Sequence, residues 1–253
     1  MEIHWCKFKL LATYLSGVNE GLTIKSSAKH ALIFGASGLV GSHCLQALLH
    51  HPAYKKVSAF YRLAPGIQQD KLTVHQVDME IIGDWCDLIE GEDLFICLGT
   101  TMNKAGSKKA FYHIEYEYLM HILGYAQKKG VQQILLVSAM GADSSSLFFY
   151  NQVKGKIEEM ARCMDFWAIH IFRPSLLIGS REEVRPLESF AAGAGMALKL
   201  LGPKLFSKIT PIEAEKVALS MVKAAQGTRS GVFFYPSHYM AKFGKSNSGN
   251  DNI

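Results

Sequence analysis

The chain alternates short apolar runs with longer amphipathic ones, and the rhythm holds from residue 31 to residue 235. Residues 31–34 are apolar and end on Gly35, after which apolar positions recur at Leu39, Val40, Cys44, Leu45, Leu48 and Leu49. The first pattern predicts a buried strand, the second a helix that Pro52 stops. Further strands are predicted over 56–61, 72–77, 93–98, 133–137, 166–172 and 231–235. Between them the spacing predicts a short helical piece over 85–89 and a long helix over 111–129 ended by Gly130. A further helix carries Val153, Ile157, Met160, Ala161 and Met164, and an apolar one runs over 190–201 until Pro203. Thr210 at an N-cap position with Pro211 in the first turn predicts a last helix to Ala225. The polar stretch 102–109 reads as a loop. Strands alternating with helices in this order predict an α/β fold, a doubly wound parallel sheet covered on both faces.

The 253 residues suit one such domain. Residues 1–29 fall outside the rhythm and read as a flexible N-terminal extension. Residues 30–241 form the domain, with a small substrate region mainly in 174–210, and the polar residues 242–253 read as a disordered tail. Lys7 and Lys9 precede a short apolar run, but Glu2 and the lack of a small-residue cleavage site argue against a secretory signal. The net charge of +5 is spread along the chain, which argues against nucleic acid as the main partner. The apolar run 190–201 is too short to span a bilayer. Five cysteines without a Cys-x-x-Cys pair read as reduced thiols and a cytoplasmic location. Ten histidines are present, but His50-His51 end a helix and His113 and His121 lack partners at ligand spacing, so no metal is expected. A small-molecule substrate is the expected partner, with a homodimer or a regulatory protein partner left open.

The strand before Gly35 and the helix after it give the glycines at 35, 38 and 41 distinct tasks. Gly35 permits the sharp turn, Gly38 lets backbone approach a pyrophosphate, and Gly41 lets helix pack close to strand. The helix start then offers unpaired N–H groups to the phosphates, so Gly35, Ser37, Gly38, Leu39 and Val40 are candidate cofactor contacts. This is the dinucleotide-binding turn of a Rossmann fold. The next strand ends at Phe60-Tyr61-Arg62 without a carboxylate. An arginine there suits the 2′-phosphate of NADP, whereas NAD would call for an acid, so NADP(H) is favoured over NAD. Asp78 ends the third strand, where it can meet adenine or cap the turn. Leu98, Gly99 and Thr100, small and at the end of the fourth, leave room for the second ribose.

Ser138 follows the fifth strand, and Tyr150-Asn-Gln-Val-Lys154 follows twelve residues later. Four residues apart on a helix, Tyr150 and Lys154 share one face. A phenol titrates near ~10 and exchanges protons poorly at neutral pH, and a neighbouring ammonium stabilises its phenolate. Ser138, Tyr150 and Lys154 therefore form a candidate catalytic set. Ser138 would hold a carbonyl oxygen, Tyr150 would move its proton, and Lys154 would be the electrostatic partner.

Gly-x-x-Gly-x-x-Gly, a strand-end serine and Tyr-x-x-x-Lys together resemble the short-chain dehydrogenase/reductase superfamily in its extended or atypical form. A narrower resemblance covers most of residues 31–225. Cys97-Leu-Gly-Thr-Thr101 with Ala105-Gly-Ser107, Val137-Ser-Ala-Met-Gly-Ala-Asp143, and Arg173-Pro-Ser-Leu-Leu177 with Arg181 and Glu182 are similar to the Tat-interacting oxidoreductase-like branch. The resemblance implies NADPH binding through the glycines, Arg62, Ser138, Tyr150, Lys154 and the Pro174 segment. It also implies a branch that contains regulators as well as reductases. One departure stands out: where the superfamily often supplies an asparagine from the long helix, this chain reads His113-Ile114-Glu115.

Three functions follow as expectations. The first is an NADP-dependent oxidoreductase acting on a carbonyl or alcohol of a small molecule. The second is an NADP(H)-sensing regulatory protein whose cofactor state governs a partner. The third is an NAD-dependent nucleotide-sugar epimerase or dehydratase on the same scaffold. The charge-rich segment 179–188 reads equally as a solvated loop or as a substrate lid.

Overall fold

The computed structural model describes residues 28–179 and 210–242. Seven parallel strands form one sheet: β1 (Lys29–Phe34), β2 (Tyr54–Tyr61), β3 (Leu72–Gln76), β4 (Asp93–Ile96), β5 (Gln133–Val137), β6 (Ala168–Arg173) and, last in the chain, β9 (Gly231–Pro236). Their order is β3-β2-β1-β4-β5-β6-β9, with every neighbouring pair parallel. The order reverses direction between β1 and β4, so the crevice for a ligand opens where the chain leaves the carboxyl ends of those two strands. β7 (Leu177–Ile178) and β8 (Ile212–Glu213) make a separate two-stranded pairing.

The strands are apolar on both faces because both faces are covered. Leu32, Phe34, Leu94, Ile96, Ile134, Leu136, Ile169 and Ile171 point to one core. There they meet α3 (Lys108–Tyr112), α4 (Tyr118–Lys128) and α5 (Phe149–Cys163) through Phe111, Ile122, Val153 and Ile157. The alternate residues Ala31, Ile33, Phe95, Leu135 and Phe172 point the other way. They pack on α1 (Leu39–His50) and α6 (Ala214–Ala224) through Cys44, Leu45, Leu48, Val217 and Met221. Each core loses its closure if one helix face is made polar, since burial of such side chains contributes about 1.5–3 kcal/mol apiece.

Two expectations about local structure are corrected. Residues 102–109 are not a loop but hold α2 (Met102–Ala105) and the start of α3. Thr101 caps the first by accepting from the Lys104 N–H at 3.2 Å, and Ser107 caps the second by accepting from the Ala110 N–H at 3.1 Å. Gly106, at φ 76°, separates them; polar composition here reflects capping. The helix expected from Thr210-Pro211 begins instead at Ala214. The Ile212 N–H instead donates to Leu176 O at 2.9 Å, because residues 212–213 stay extended to pair with β7. The helix expected over 111–129 is present, with a π turn at His113–Glu117 joining α3 to α4. The expected helix 190–201, the lid segment 180–188 and residues 1–27 and 243–253 lie outside the described residues.

Candidate functional site

The carboxyl ends of β1 and β4 meet at the glycine turn. Gly35 has φ +82°, and a Cβ on it would lie 2.5 Å from the Cys97 backbone at the end of β4. A Cβ on Gly41 would lie 2.0 Å from Gly35 O, so α1 can seat only with glycine there. Gly38 donates its N–H to Gly35 O at 2.8 Å, which closes the turn. At the start of α1 the N-cap residue Gly38 supplies no side-chain hydrogen bond, and the first turn carries no acidic residue. The first-turn N–H groups therefore have no side-chain acceptor of that helix, and their partial positive charge faces the crevice. This cradle fits a pyrophosphate, with Gly35, Ser37, Gly38, Leu39 and Val40 around it. Beneath it the Cys44 and Cys97 thiols hydrogen-bond; burial, then Cys97, pushes the Cys44 thiol well up, so it stays protonated.

Around the crevice the other candidate residues fall where the strand ends put them. Arg62 directly follows β2 and is exposed; Asp78 follows β3 and caps the next turn by accepting from the Glu80 N–H at 2.9 Å. Tyr118 lies within electrostatic reach of both. Burial first, then its hydrogen bond to Glu80 and the charges of Glu80 and Asp78, push its phenol up to about 12, while Arg62 acts in the opposite direction. His113, rejected as a metal ligand for want of partners, does face carboxylates: its Nε2 lies 3.0 Å from Glu80, and its Nδ1 hydrogen-bonds Glu117. Those two pairs hold its pKa above the ordinary value. Among the described residues no cluster of side chains could hold a metal ion.

Tyr150 and Lys154 both lie on α5, as their spacing predicts. Tyr150 is half-buried with its ring 5.7 Å from that of Phe111, and Lys154 is buried. Lys154 Nζ donates to Glu115 Oε2 at 2.6 Å. Burial alone would lower the Lys154 pKa; the charges of Glu115 and Tyr150 and the Glu115 hydrogen bond outweigh it, and the net shift is upward. The other Glu115 oxygen accepts the Thr100 N–H. Glu115 lies in the π turn, whose wider ring turns it into the core, 4 % exposed, while His113 stays at the surface. One carboxylate thus ties the lysine to the Gly99–Thr100 turn.

Ser138 follows β5 and is buried, but its hydroxyl donates to Glu158. Glu158 also receives Arg173 Nε, at 3.0 and 3.1 Å to its two oxygens, and a further bond from Arg173 Nη2. The Ser138 proton is thus directed at a carboxylate. Pro174 follows Arg173 at the end of β6, and its carbonyl accepts the Met140 N–H at 2.9 Å. Glu115, Glu158 and Arg173 are the polar groups that the reading of the sequence left without a role here. Glu158 was accessible from spacing, since Tyr150, Lys154 and Glu158 recur every four residues on α5. Glu115 was noticed only as a departure, because a π turn leaves no clear mark in periodicity.

A parallel sheet with a glycine turn at its reversal point and charged groups gathered on the same edge defines a nucleotide-binding, oxidoreductase-like protein. The model of the NAD(P)H-binding family matches residues 35–165. The mitochondrial protein FMP52-1 of Scheffersomyces stipitis is 32% identical over 225 residues, covering 85% of this chain and 98% of that protein. HTATIP2 of Rattus norvegicus is 34% identical over 171 residues, covering 66% and 70%. Among solved structures, a short chain dehydrogenase family protein from Francisella tularensis superposes with a TM-score of 0.60 at 14% identity, covering 84% of this chain and 99% of that one. ADP-L-glycero-D-manno-heptose-6-epimerase of Helicobacter pylori gives 0.60 at 17% identity, covering 85% and 78%; these two likenesses show the fold. The chain belongs to the NAD(P)H-binding family, as an atypical short-chain dehydrogenase/reductase of the HTATIP2-like branch.

Two expectations from composition change. The cytoplasmic location inferred from the cysteines is overturned, because FMP52 relatives are named as mitochondrial proteins. Cys44, Cys86 and Cys97 are free thiols, as expected, but Cys163 is disulfide-bonded. No described helix is long and apolar enough to cross a membrane.

Proposed function

We propose that the chain is a mitochondrial NADP(H)-dependent oxidoreductase acting on a carbonyl or alcohol group of a small molecule. The observation that carries this reading is the helix face of Tyr150 and Lys154, with Lys154 paired to Glu115 and through it to the Gly99–Thr100 turn. The glycine cradle would hold the pyrophosphate, Arg62 the 2′-phosphate, Asp78 the adenine side, and Leu98 to Thr100 the second ribose. The Pro174 segment would lie against the nicotinamide. When bound, the reduced cofactor supplies a hydride to the carbonyl carbon. Tyr150 gives its phenol proton to the carbonyl oxygen as the double bond opens, and Lys154 offsets the charge left on the phenol. Ser138 orients that oxygen once its hydroxyl turns from Glu158.

The test is consumption of NADPH against a panel of aldehydes and ketones, repeated with Tyr150→Phe. Turnover with at least one compound that the variant loses, at unchanged NADPH affinity, supports the mechanism. Equal turnover in the variant rules it out.

A second reading has its own observation. The Ser138 proton is held by Glu158, and Glu158 by Arg173, so the groups poised for chemistry are also tied into a fixed frame. That suits a protein that senses NADP(H) and passes its state to a partner. Its test is whether NADPH changes the affinity of any copurifying protein.

A further inference from the structure

The buried charges around Tyr150 come in compensated pairs. Lys154 is matched by Glu115, which also accepts from Thr100, and Arg173 is matched by Glu158, which also accepts from Ser138. Lys154, Glu115 and Glu158 are each no more than 6 % exposed, so water screens these charges little. Among the described residues α5 brings Lys154 and Glu158, the π turn brings Glu115 and β6 brings Arg173, and the Asp143 charge also acts on Arg173. An isolated ammonium beside a phenol would favour the phenolate strongly. An ammonium already closed on a carboxylate favours it much less, because the carboxylate repels the same negative charge.

Packing supports the pairing as a built feature. A Cβ on Gly99 would come to 3.3 Å from Glu115 Oε1, so the turn at the end of β4 and the carboxylate fit against each other. The π turn is what brings position 115 inward, and such insertions are frequent at functional sites. The carboxylate thus cancels an ammonium charge that the phenol would otherwise meet alone.

We propose that Glu115 is a positioning residue: it locks Lys154 into a neutral pair anchored on the Gly99–Thr100 turn, keeps Tyr150 protonated, and so sets the site to reduce carbonyls at neutral pH. This rests on the oxidoreductase reading above. In the reductive step the hydride forms the new C–H bond and the carbonyl π pair moves to oxygen. That oxygen then takes the Tyr150 proton, and solvent returns a proton to the phenolate. The reverse step would need Tyr150 to stand as phenolate beside a lysine already closed on a carboxylate before an alcohol arrives.

The experiment titrates Tyr150 in the full chain without cofactor or substrate. It reads tyrosinate absorbance as the difference between each protein and its Tyr150→Phe counterpart. In the natural chain Tyr150 should stay protonated up to the ordinary phenol range near ~10. In Glu115→Gln, which keeps an oxygen for Thr100 but loses the charge, the midpoint should fall about one pH unit, a tenfold change. A lysine stripped of its partner can shed its proton, so the comparison is repeated with Lys154→Arg and Lys154→Arg/Glu115→Gln, because arginine keeps its charge. The same fall between those two supports the proposal, and the alkaline limb of reductive kcat/KM should move down by the same amount. A natural-chain midpoint well below the phenol range, or equal midpoints with and without Glu115 in the arginine background, overturns it. The natural-chain reading requires no variant at position 115 to fold. Failure of the oxidoreductase reading would appear separately, as no turnover in the carbonyl panel with this titration intact.

Discussion

At its two ends the sheet carries two buried polar networks made from the same kinds of groups. At the amino edge Asp93 accepts from Lys29 at 2.7 Å, Tyr54 at 2.6 Å and Gln133 at 2.7 Å. Lys29 and Gln133 reach Ala225 O as well, at 2.7 and 2.9 Å. At the carboxyl edge Glu115 and Glu158 hold Lys154, Arg173 and Ser138. Both networks bury a carboxylate against a cation, so burial and pairing do not distinguish them. Their suppliers do. Asp93 takes its donors from the first residues of β1, β2 and β5, so its network ties the sheet to the end of α6. Glu115 and Glu158 take theirs from a turn, a helix face and a strand exit around the crevice, with half-buried Tyr150 beside them. The lesson is that a perturbed, ion-paired group marks a site only on the edge where ligands enter.

The amino-edge network extends through neutral groups. The Gln133 amide nitrogen donates to Asp93 and Ala225, so its oxygen faces His170 Nε2 at 3.2 Å, and that nitrogen must carry the ring proton. His170 Nδ1 then accepts from Tyr235 OH at 2.9 Å. Burial first, then Arg229 and Lys29, lowers the His170 pKa to about 4.

The sharpest way to separate the networks is to remove one group from each. Tyr150→Phe should cut turnover by about 10²–10⁴-fold, the usual weight of general acid catalysis, while the urea unfolding midpoint hardly moves. Asp93→Ala should do the opposite. It strands Lys29 and should cost about 3–5 kcal/mol of unfolding free energy, with NADPH affinity unchanged under conditions where the variant is folded. If Asp93→Ala weakened NADPH binding in a fully folded protein, the division between the two edges would be wrong.

A third test uses pH. His170 has a depressed folded pKa, so below the unfolded value near ~6.5 the unfolded chain binds the proton first. Stability should therefore be complete above that pH and fall as pH drops from there to about 4, by about 3 kcal/mol at most. His170→Gln should flatten that acid limb in urea titrations; an unchanged limb would remove His170 as its cause. The smallest effect belongs to Arg62→Ala. It should weaken NADPH about tenfold by calorimetry and leave NADH alone, because exposed Arg62 is proposed to meet the 2′-phosphate that NADH lacks.

The candidate site was legible wherever spacing along one element sufficed. Gly35, Gly38 and Gly41 declared a turn between a strand and a helix. Tyr150 and Lys154 declared a shared helical face, and β-strand runs declared which residues end at the crevice. Glu115 escaped because its inward direction depends on a π turn that merges α3 with α4. Arg173 and Ser138 escaped as a pair because the carboxylate joining them comes from α5, between the two in sequence but not local to either. Residues 210–213 misled for a related reason. Their sequence suits a helix start, and only the pairing of β8 with β7 keeps them extended.

By itself the sequence determined the alternation of strands and helices, the parallel sheet, the dinucleotide turn and the axis of Tyr150 and Lys154. Those depend on periodicity and on backbone conformations that single residue types permit, which are local properties. Only the tertiary structure decided which charge meets which: Lys154 with Glu115, Glu158 with Arg173 and Ser138, Asp93 with Lys29. Partners 15 to 64 residues apart are brought together by strand order and helix packing, and the strength of each pairing comes from the water that packing excludes.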